Sequence, residues 1–323
     1  MGLKLSQPDE HAATHGLDQL IWTIVAAVAA AVLIAHTISD FRLAWSSFVM
    51  PAGTCAALLA GSWFYRARRV DPRLASALGC TAQIIAFGAV GAPLSYLAAS
   101  FGLPLQDQAF DALDKVLGFD WLGLFDFVTA SPRLSTVLRI AYVSFTIQAS
   151  LIVLALAFFR QLLWLRVFVL SFILTALVTI AVAAVLPGVG AWELHGMPSS
   201  PDSTIPIAQS SLPVFHALRD GTLRQLTAIG AEGIITFPSL HAALGLILMV
   251  ALWPIAGLRW IGIVLNAVMI AATPIDGMHY LVDVIAGLLI ALACVATARA
   301  LAARIAMRTP KWSAIVPSAA PTR

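Results

Sequence analysis

The chain alternates long apolar stretches with short polar connections. Apolar runs of about 20 residues are long enough for a helix to cross the hydrocarbon core of a bilayer. The pattern predicts membrane-spanning helices at eight places: 18–38, 43–64, 75–100, 134–158, 164–186, 237–256, 259–274 and 280–303. We therefore expect an all-α, polytopic membrane helix bundle over 18–303, with cytoplasmic tails at 1–17 and 304–323.

Two connections are longer than simple turns. In 101–133, apolar residues and aspartates recur at near-helical spacing, which is typical of amphipathic helices lying in the membrane interface. We expect them to form a shelf over the bundle. The first half of 187–236 is rich in Pro, Gly and Ser and predicts irregular structure, whereas 212–226 favours a short helix. Long loops of this kind usually carry function.

Composition and charge narrow the class of protein. Hydrophobic residues make up 60% of the chain and charged residues only 11%, which excludes an ordinary soluble domain. The net charge is +3, but eight spans place thirteen of the nineteen Lys and Arg residues on the side of both termini. The positive-inside rule makes that side cytoplasmic, so the basic excess indicates topology and not nucleic-acid binding. The three cysteines predict neither a disulfide framework nor a zinc cluster.

The stretch "HYLVD" carries the first candidate chemistry. His279 and Asp283 are four residues apart, so both side chains lie on one face of a helix. The carboxylate can hold one ring nitrogen and leave the other basic, which produces an activated nucleophile or base. The alternative is that the two side chains only satisfy each other's hydrogen bonds within the bundle and have no catalytic role.

The stretch "TFPSLH" is the second candidate. Its proline suits a first helical turn, and the Ser239 hydroxyl with the unpaired amides of that turn forms an anion site. His241 follows closely enough to protonate a leaving oxygen. Arg219 and Arg224 are the basic residues of the preceding loop and could bind phosphate, or be solvated surface charges.

The order and spacing of "FPSLH" and "HYLVDV" resemble the second and third motifs of the type 2 phosphatidic acid phosphatase superfamily. Leu240 stands where that family has glycine, and Thr273 stands where it has arginine. Both departures resemble the inositol phosphorylceramide synthase branch. The family's first motif is absent in its usual form, and "LRDG" is only a partial substitute.

The resemblance implies a role for each candidate residue. His279 is the nucleophile, Asp283 orients it, and His241 is the general acid. Ser239 holds the phosphoryl oxygens, joined by Arg219 or Arg224, with Thr273 as a further candidate. The motifs span 219–287. No metal and no other cofactor is implied, although two histidines and an aspartate could by residue type alone bind zinc.

The resemblance also implies an activity and a place. We expect a lipid phosphatase or phosphotransferase that forms a phosphohistidine on a lipid phosphate or phospholipid among membrane lipids. The acceptor is water or a polar alcohol such as inositol, and the site faces the non-cytoplasmic side of a bacterial inner membrane. The alternatives are a polyprenyl (di)phosphate phosphatase, a transporter of a polar lipid, and a scaffold with an inactive site.

Overall fold

The computed structural model describes residues 7–197, 211–228 and 234–308. Within these ranges the chain forms thirteen helices and one pair of two-residue strands. The helices are α1 Gln7–Ile38, α2 Trp45–Ala67, α3 Pro72–Ala99, α4 Asp107–Val116, α5 Trp121–Thr129, α6 Pro132–Val143, α7 Phe145–Phe158, α8 Leu162–Val185, α9 Ala191–Leu194, α10 Leu212–Asp220, α11 Leu240–Leu252, α12 Ala256–Asp276 and α13 Leu281–Arg308. The strands are β1 Arg42–Leu43 and β2 Gln225–Leu226, which pair in parallel.

The helical membrane bundle expected from the sequence is confirmed. Among the described residues, the helices α1, α2, α3, α8, α12 and α13 are each long and apolar enough to cross a membrane. The protein is therefore an integral membrane protein. Helix α1 begins inside the predicted tail 1–17, and α13 extends into the predicted tail 304–323.

The number of spans differs from the eight expected. The predicted span 134–158 is two helices, α6 and α7, which meet at Ser144 with a bend of 49°. The Ser144 hydroxyl donates to the Ala141 carbonyl at 2.7 Å, a side-chain bond that competes with the helical ladder and favours such a kink. Helix α11 has only 13 residues, because the chain leaves the helix just before Pro254. Six spans, or seven with the bent pair, are thus supported in the described part of the chain.

Helix α8 forms the centre of the bundle. Leu165, Leu170 and Ile173 on this helix are completely buried. They belong to one apolar core with residues of α1, α3, α7, α11, α12 and α13. Helix α2 lies at the edge and leaves Trp63 and most of its other apolar side chains exposed. This arrangement suits a bundle whose outer surface contacts lipid.

The shelf helices α4 and α5 are present, but the orientation of α4 differs from a simple interfacial helix. Asp107 and Asp114 are buried, whereas Leu113 and Val116 are exposed. The carboxylates therefore face the protein. The second long connection also differs in part. The helix expected over 212–226 ends at Asp220, and the chain then forms strand β2. The Ser- and Pro-rich segment 198–210 lies outside the described residues.

Candidate active site

His279 and Asp283 form a buried pair at the start of α13. Nδ1 of His279 lies 3.2 Å from Oδ2 of Asp283, and side-chain exposure is 4% and 0%. The same oxygen accepts the backbone N–H of Tyr280 at 3.0 Å. Oδ1 of Asp283 is buried and has no hydrogen-bond partner among the described residues. The carboxylate thus fixes one nitrogen of the imidazole, but not across one helix face as expected, because His279 precedes α13.

His279 itself lies in the connection between α12 and α13, outside both spans. Burial lowers the pKa of its ring, and a hydrogen bond to the Thr236 backbone opposes that shift. A lowered pKa favours the neutral ring, which is the form that can donate a lone pair. Thr236 comes just before the "FPSLH" motif, so this contact also joins the two motif segments.

The backbone around His279 is unusual. Met278 has a φ of 58°, in the left-handed region that non-glycine residues rarely adopt. Its carbonyl accepts the N–H of Ala191 at 2.9 Å, next to Gly190, whose φ is 105°. A Cβ on Gly190 would come within 2.8 Å of the Met278 carbonyl oxygen. The glycine therefore allows the 187–197 segment to hold the backbone beside His279 in this conformation.

Thr273 has a structural partner within its own helix. Pro274 has no N–H, so it cannot donate the helical bond to the Ile270 carbonyl. The Thr273 hydroxyl donates to that carbonyl at 2.7 Å. The Thr273 carbonyl accepts the N–H of Gly277 at 3.0 Å and that of His279 at 3.4 Å. This residue thus shapes the approach to His279, and its phosphate-binding role stays a prediction.

Ser239 caps α11 and joins it to α13. Its hydroxyl accepts the N–H of Ala242 at 3.3 Å, and its own N–H donates to the Asp283 carbonyl at 3.0 Å. A Cβ on Gly287 would overlap the Ser239 carbonyl, so this glycine permits the two helices to touch. Pro238 precedes the cap and does not occupy the first helical turn as the sequence suggested.

His241 lies one residue inside α11 and is held by the bent helix pair. The Tyr142 ring stacks on it with 4.3 Å between centroids, and the Tyr142 hydroxyl is 3.3 Å from Nδ1. Phe145, beyond the bend, contacts the ring edge-on at 5.8 Å. Ser239, two residues before His241, bonds to the Asp283 carbonyl, so the start of α11 lies next to the start of α13. The site therefore contains two histidines from two helix starts.

Two buried aspartates of α4 fasten the shelf to this site. Asp114 accepts the N–H groups of Leu281 and Val282 at 2.7 and 2.9 Å, and so caps α13 from another helix. Asp107 accepts the Tyr280 hydroxyl at 3.2 Å and backbone N–H groups of the 187–197 segment. Burial raises the pKa of both carboxyls, and the backbone donors oppose it. Sequence reasoning missed this role, although the seven-residue spacing puts both side chains on one face.

We expect Asp114→Ala to destabilise the protein, because the first amides of α13 lose their acceptor. The loss should be about 0.5 to 2 kcal/mol of unfolding free energy. Thermal unfolding in detergent measures it. The matched control is Asp111→Ala on the same helix, since Asp111 pairs with Lys115 instead of α13. Equal midpoints for the two variants would show that the cap contributes nothing.

Arg219 and Arg224 have contacts at the end of α10. Nη2 of Arg219 donates to the Leu103 carbonyl at 2.7 Å, and its guanidinium lies 5.5 Å from the Phe215 ring centroid. Its Nη1 is buried without a partner in the described part of the chain. Nη1 of Arg224 donates to the Leu218 carbonyl at 3.2 Å. The structure thus gives both arginines structural partners, and their contact with phosphate stays a prediction.

The acidic and histidine side chains of the described residues do not form a metal site. Across residues 7–197, 211–228 and 234–308, no group of three or more His, Cys, Asp or Glu side chains is arranged to hold a metal ion. Such sites need several donors directed at one point.

Comparison with known proteins agrees with the motifs. The family model described as PAP2 superfamily matches residues 108–297, which covers the shelf, both motif segments and most of α13. The chain matches no curated protein and no solved structure. The matched region is more than half of the chain and supports a lipid phosphatase-type function. The protein belongs to the PAP2 superfamily.

Proposed function

We propose that this protein is a lipid phosphatase or phosphotransferase that works through a phosphohistidine on His279. The observation that carries the proposal is the buried His279–Asp283 pair, held at 3.2 Å, with His241 nearby on a second helix. A nucleophile oriented by a carboxylate and accompanied by a separate acid is the arrangement that covalent catalysis requires. Membership of a family of phosphatases and phosphotransferases supports the same reaction class.

The first step is attack on phosphorus by the free nitrogen of His279. Because Nδ1 faces Asp283, the attacking lone pair is that of Nε2. The N–P bond forms, the P–O bond to the lipid breaks, and the leaving oxygen takes a proton from His241. Substrate binding replaces the contact between the His279 ring and the Thr236 backbone. To act as the acid, His241 is the imidazolium: Nδ1 faces the Tyr142 hydroxyl, and the proton on Nε2 can face the leaving group, so that loss of this proton leaves a neutral ring.

The second step releases the phosphoryl group. Water or an alcohol gives its proton to His241, attacks phosphorus and breaks the N–P bond, which regenerates His279. Ser239 and the α11 N-terminus would stabilise the phosphoryl oxygens. We retain Arg219, Arg224 and Thr273 as predicted phosphate contacts. These residues bind the phosphoryl group and so do not select the acceptor.

The molecule that accepts the phosphoryl group determines whether the protein is a phosphatase or a phosphotransferase. The likeness of "PSLH" and the His279–Tyr280 pair to the inositol phosphorylceramide synthase branch adds a phosphotransferase with inositol or another alcohol as acceptor to the phosphatase that uses water, and a polyprenyl (di)phosphate is the alternative substrate. Purified full-length protein should be incubated with phosphatidic acid, phosphatidylinositol, ceramide and polyprenyl diphosphate, with and without inositol. Mass spectrometry should detect loss of a phosphoryl group from at least one lipid. An unchanged lipid set in every mixture would contradict the proposal.

We place the site on the non-cytoplasmic side and both termini in the cytoplasm of a bacterial plasma membrane. The support is the excess of Lys and Arg on the side of the termini when the eight spans predicted from the sequence are counted. A reporter fused after Arg323 should be active only in the cytoplasm. Labelling of a cysteine placed in the 187–236 loop only from the cytoplasmic side would contradict this topology.

A further inference from the structure

One face of α6 contacts both His241 and the end of α12. Arg139 and Tyr142 are three residues apart, so they lie on the same side of this helix. Tyr142 stacks on His241 at 4.3 Å. Nε of Arg139 forms an ion pair with Oδ1 of Asp276 at 3.3 Å. Helix α6, which contacts His241 through Tyr142, therefore also places the Arg139 guanidinium at the end of α12.

Asp276 is close to the nucleophile along the chain. It is the last residue of α12, three residues before His279, and is 3% exposed. The Arg139 side chain is 33% exposed and is not sealed in the core. An anion can therefore approach it. The planar geometry of a guanidinium matches phosphate oxygens, which it can bind bidentately.

The proposed reaction needs a cation at this place. The transferred group is negatively charged, and the buried Asp283 carboxylate beside His279 increases the repulsion. At the motif position where an arginine is expected, Thr273 uses its hydroxyl proton on the Ile270 carbonyl. A positive charge beside His279 must then come from another element.

We propose that Arg139 is a phosphate-binding residue, held in position by Asp276, and that the site takes a phosphate monoester or phosphodiester anion through this guanidinium. The inference rests on the proposed function. In this inference, Arg139 of α6 supplies the positive charge that the two motif segments lack. Asp276 is a positioning residue, since it acts through Arg139.

The test uses the full-length protein in detergent, with orthovanadate and inorganic phosphate as probes. We expect both anions to inhibit turnover and to raise the midpoint of thermal unfolding of the unaltered protein. In Arg139→Gln the inhibition constants should rise about tenfold to hundredfold, the usual effect of losing a charge-assisted contact. The anions should no longer raise its midpoint. Arg139→Lys should recover part of the affinity, and it replaces the Gln variant if that variant does not fold.

Two variants distinguish a phosphate-binding role of Arg139 from a role that only holds α6 and α12 together. Arg133→Gln is the matched control, because Arg133 is an exposed arginine on the same helix, and its inhibition constants should not change. Asp276→Asn removes the charge but keeps an oxygen that can accept the Nε–H of Arg139, so the guanidinium stays in place and anion affinity should be retained to within about threefold, well short of the loss of a charged contact. Equal loss in Asp276→Asn and Arg139→Gln, with no rescue by lysine, would overturn the inference. So would unchanged inhibition constants in Arg139→Gln, or a loss confined to variants of Arg219 and Arg224. If the unaltered protein neither binds the anions nor turns over a lipid, the proposed function fails together with this inference.

Discussion

His279→Ala should abolish turnover of both a lipid phosphate and an activated aryl phosphate. Every substrate of the proposed reaction must be attacked by this ring, whatever its leaving group. His241→Ala should behave differently. It should reduce the lipid reaction by about 10² to 10⁴, the usual contribution of general acid catalysis, and spare much more of the aryl reaction. An activated aryl oxide leaves without help from a proton.

The comparison is made with steady-state rates of the two variants on the two substrates. Circular dichroism and the thermal unfolding midpoint should confirm that both variants are folded. Asp283→Asn is a useful third variant, since it keeps the shape of the side chain and removes the charge that faces Nδ1 of His279. Equal losses on both substrates in both histidine variants would contradict the assigned roles and favour a metal-bound water with the histidines as ligands.

Gly277→Ala should lower turnover by about 10², a loss typical of a displacement of about 1 Å at a reacting group. A Cβ at this position would lie 2.5 Å from Cδ2 of His279 and 2.7 Å from the Thr273 carbonyl oxygen. It would also lie 3.0 Å from Nε2, the nitrogen that attacks phosphorus. The added methyl group must therefore move the ring or cover the nucleophile.

The control for this substitution is Gly257→Ala, near the start of α12, the helix that Gly277 follows. A Cβ on Gly257 meets no atom within 4 Å, so turnover should stay close to that of the unaltered protein. Activity of Gly277→Ala equal to that of Gly257→Ala would show that the ring tolerates the methyl group. The space around Nε2 would then not limit catalysis.

Much of the bundle follows from hydrophobic pattern alone, because a spanning helix must be apolar over its whole length. The helices that depart from the hydrophobic pattern do so because of single residues. The break at Ser144 depends on a hydroxyl that bonds to the backbone, and its position within an apolar run leaves no mark in the hydrophobic pattern. Helix α11 is short because Pro254 follows it closely, and the run 237–256 remains apolar through that break.

In the candidate site, too, some contacts can be predicted from the sequence and others cannot. The contact between His279 and Asp283 follows from their separation of four residues, which is a local property, although His279 precedes helix α13. The partners supplied by other elements, such as Asp114 at the start of α13, depend on tertiary packing. The pattern of α4 suggested aspartates facing solvent, but their hydrogen bonds to buried amides favour the opposite orientation. Arg139 was missed for the same reason, since its partner Asp276 lies 137 residues further along the chain.

The central claim is that the phosphoryl group passes through His279. Its most direct test is a short reaction of full-length protein with a labelled substrate, stopped in alkali, where phosphohistidine survives, and mapped by mass spectrometry. We predict a phosphoryl group on His279 in the unaltered protein and in His241→Ala, and none in His279→Ala. Full turnover without any phosphorylated histidine, or a phosphoryl group on another residue, would contradict the claim.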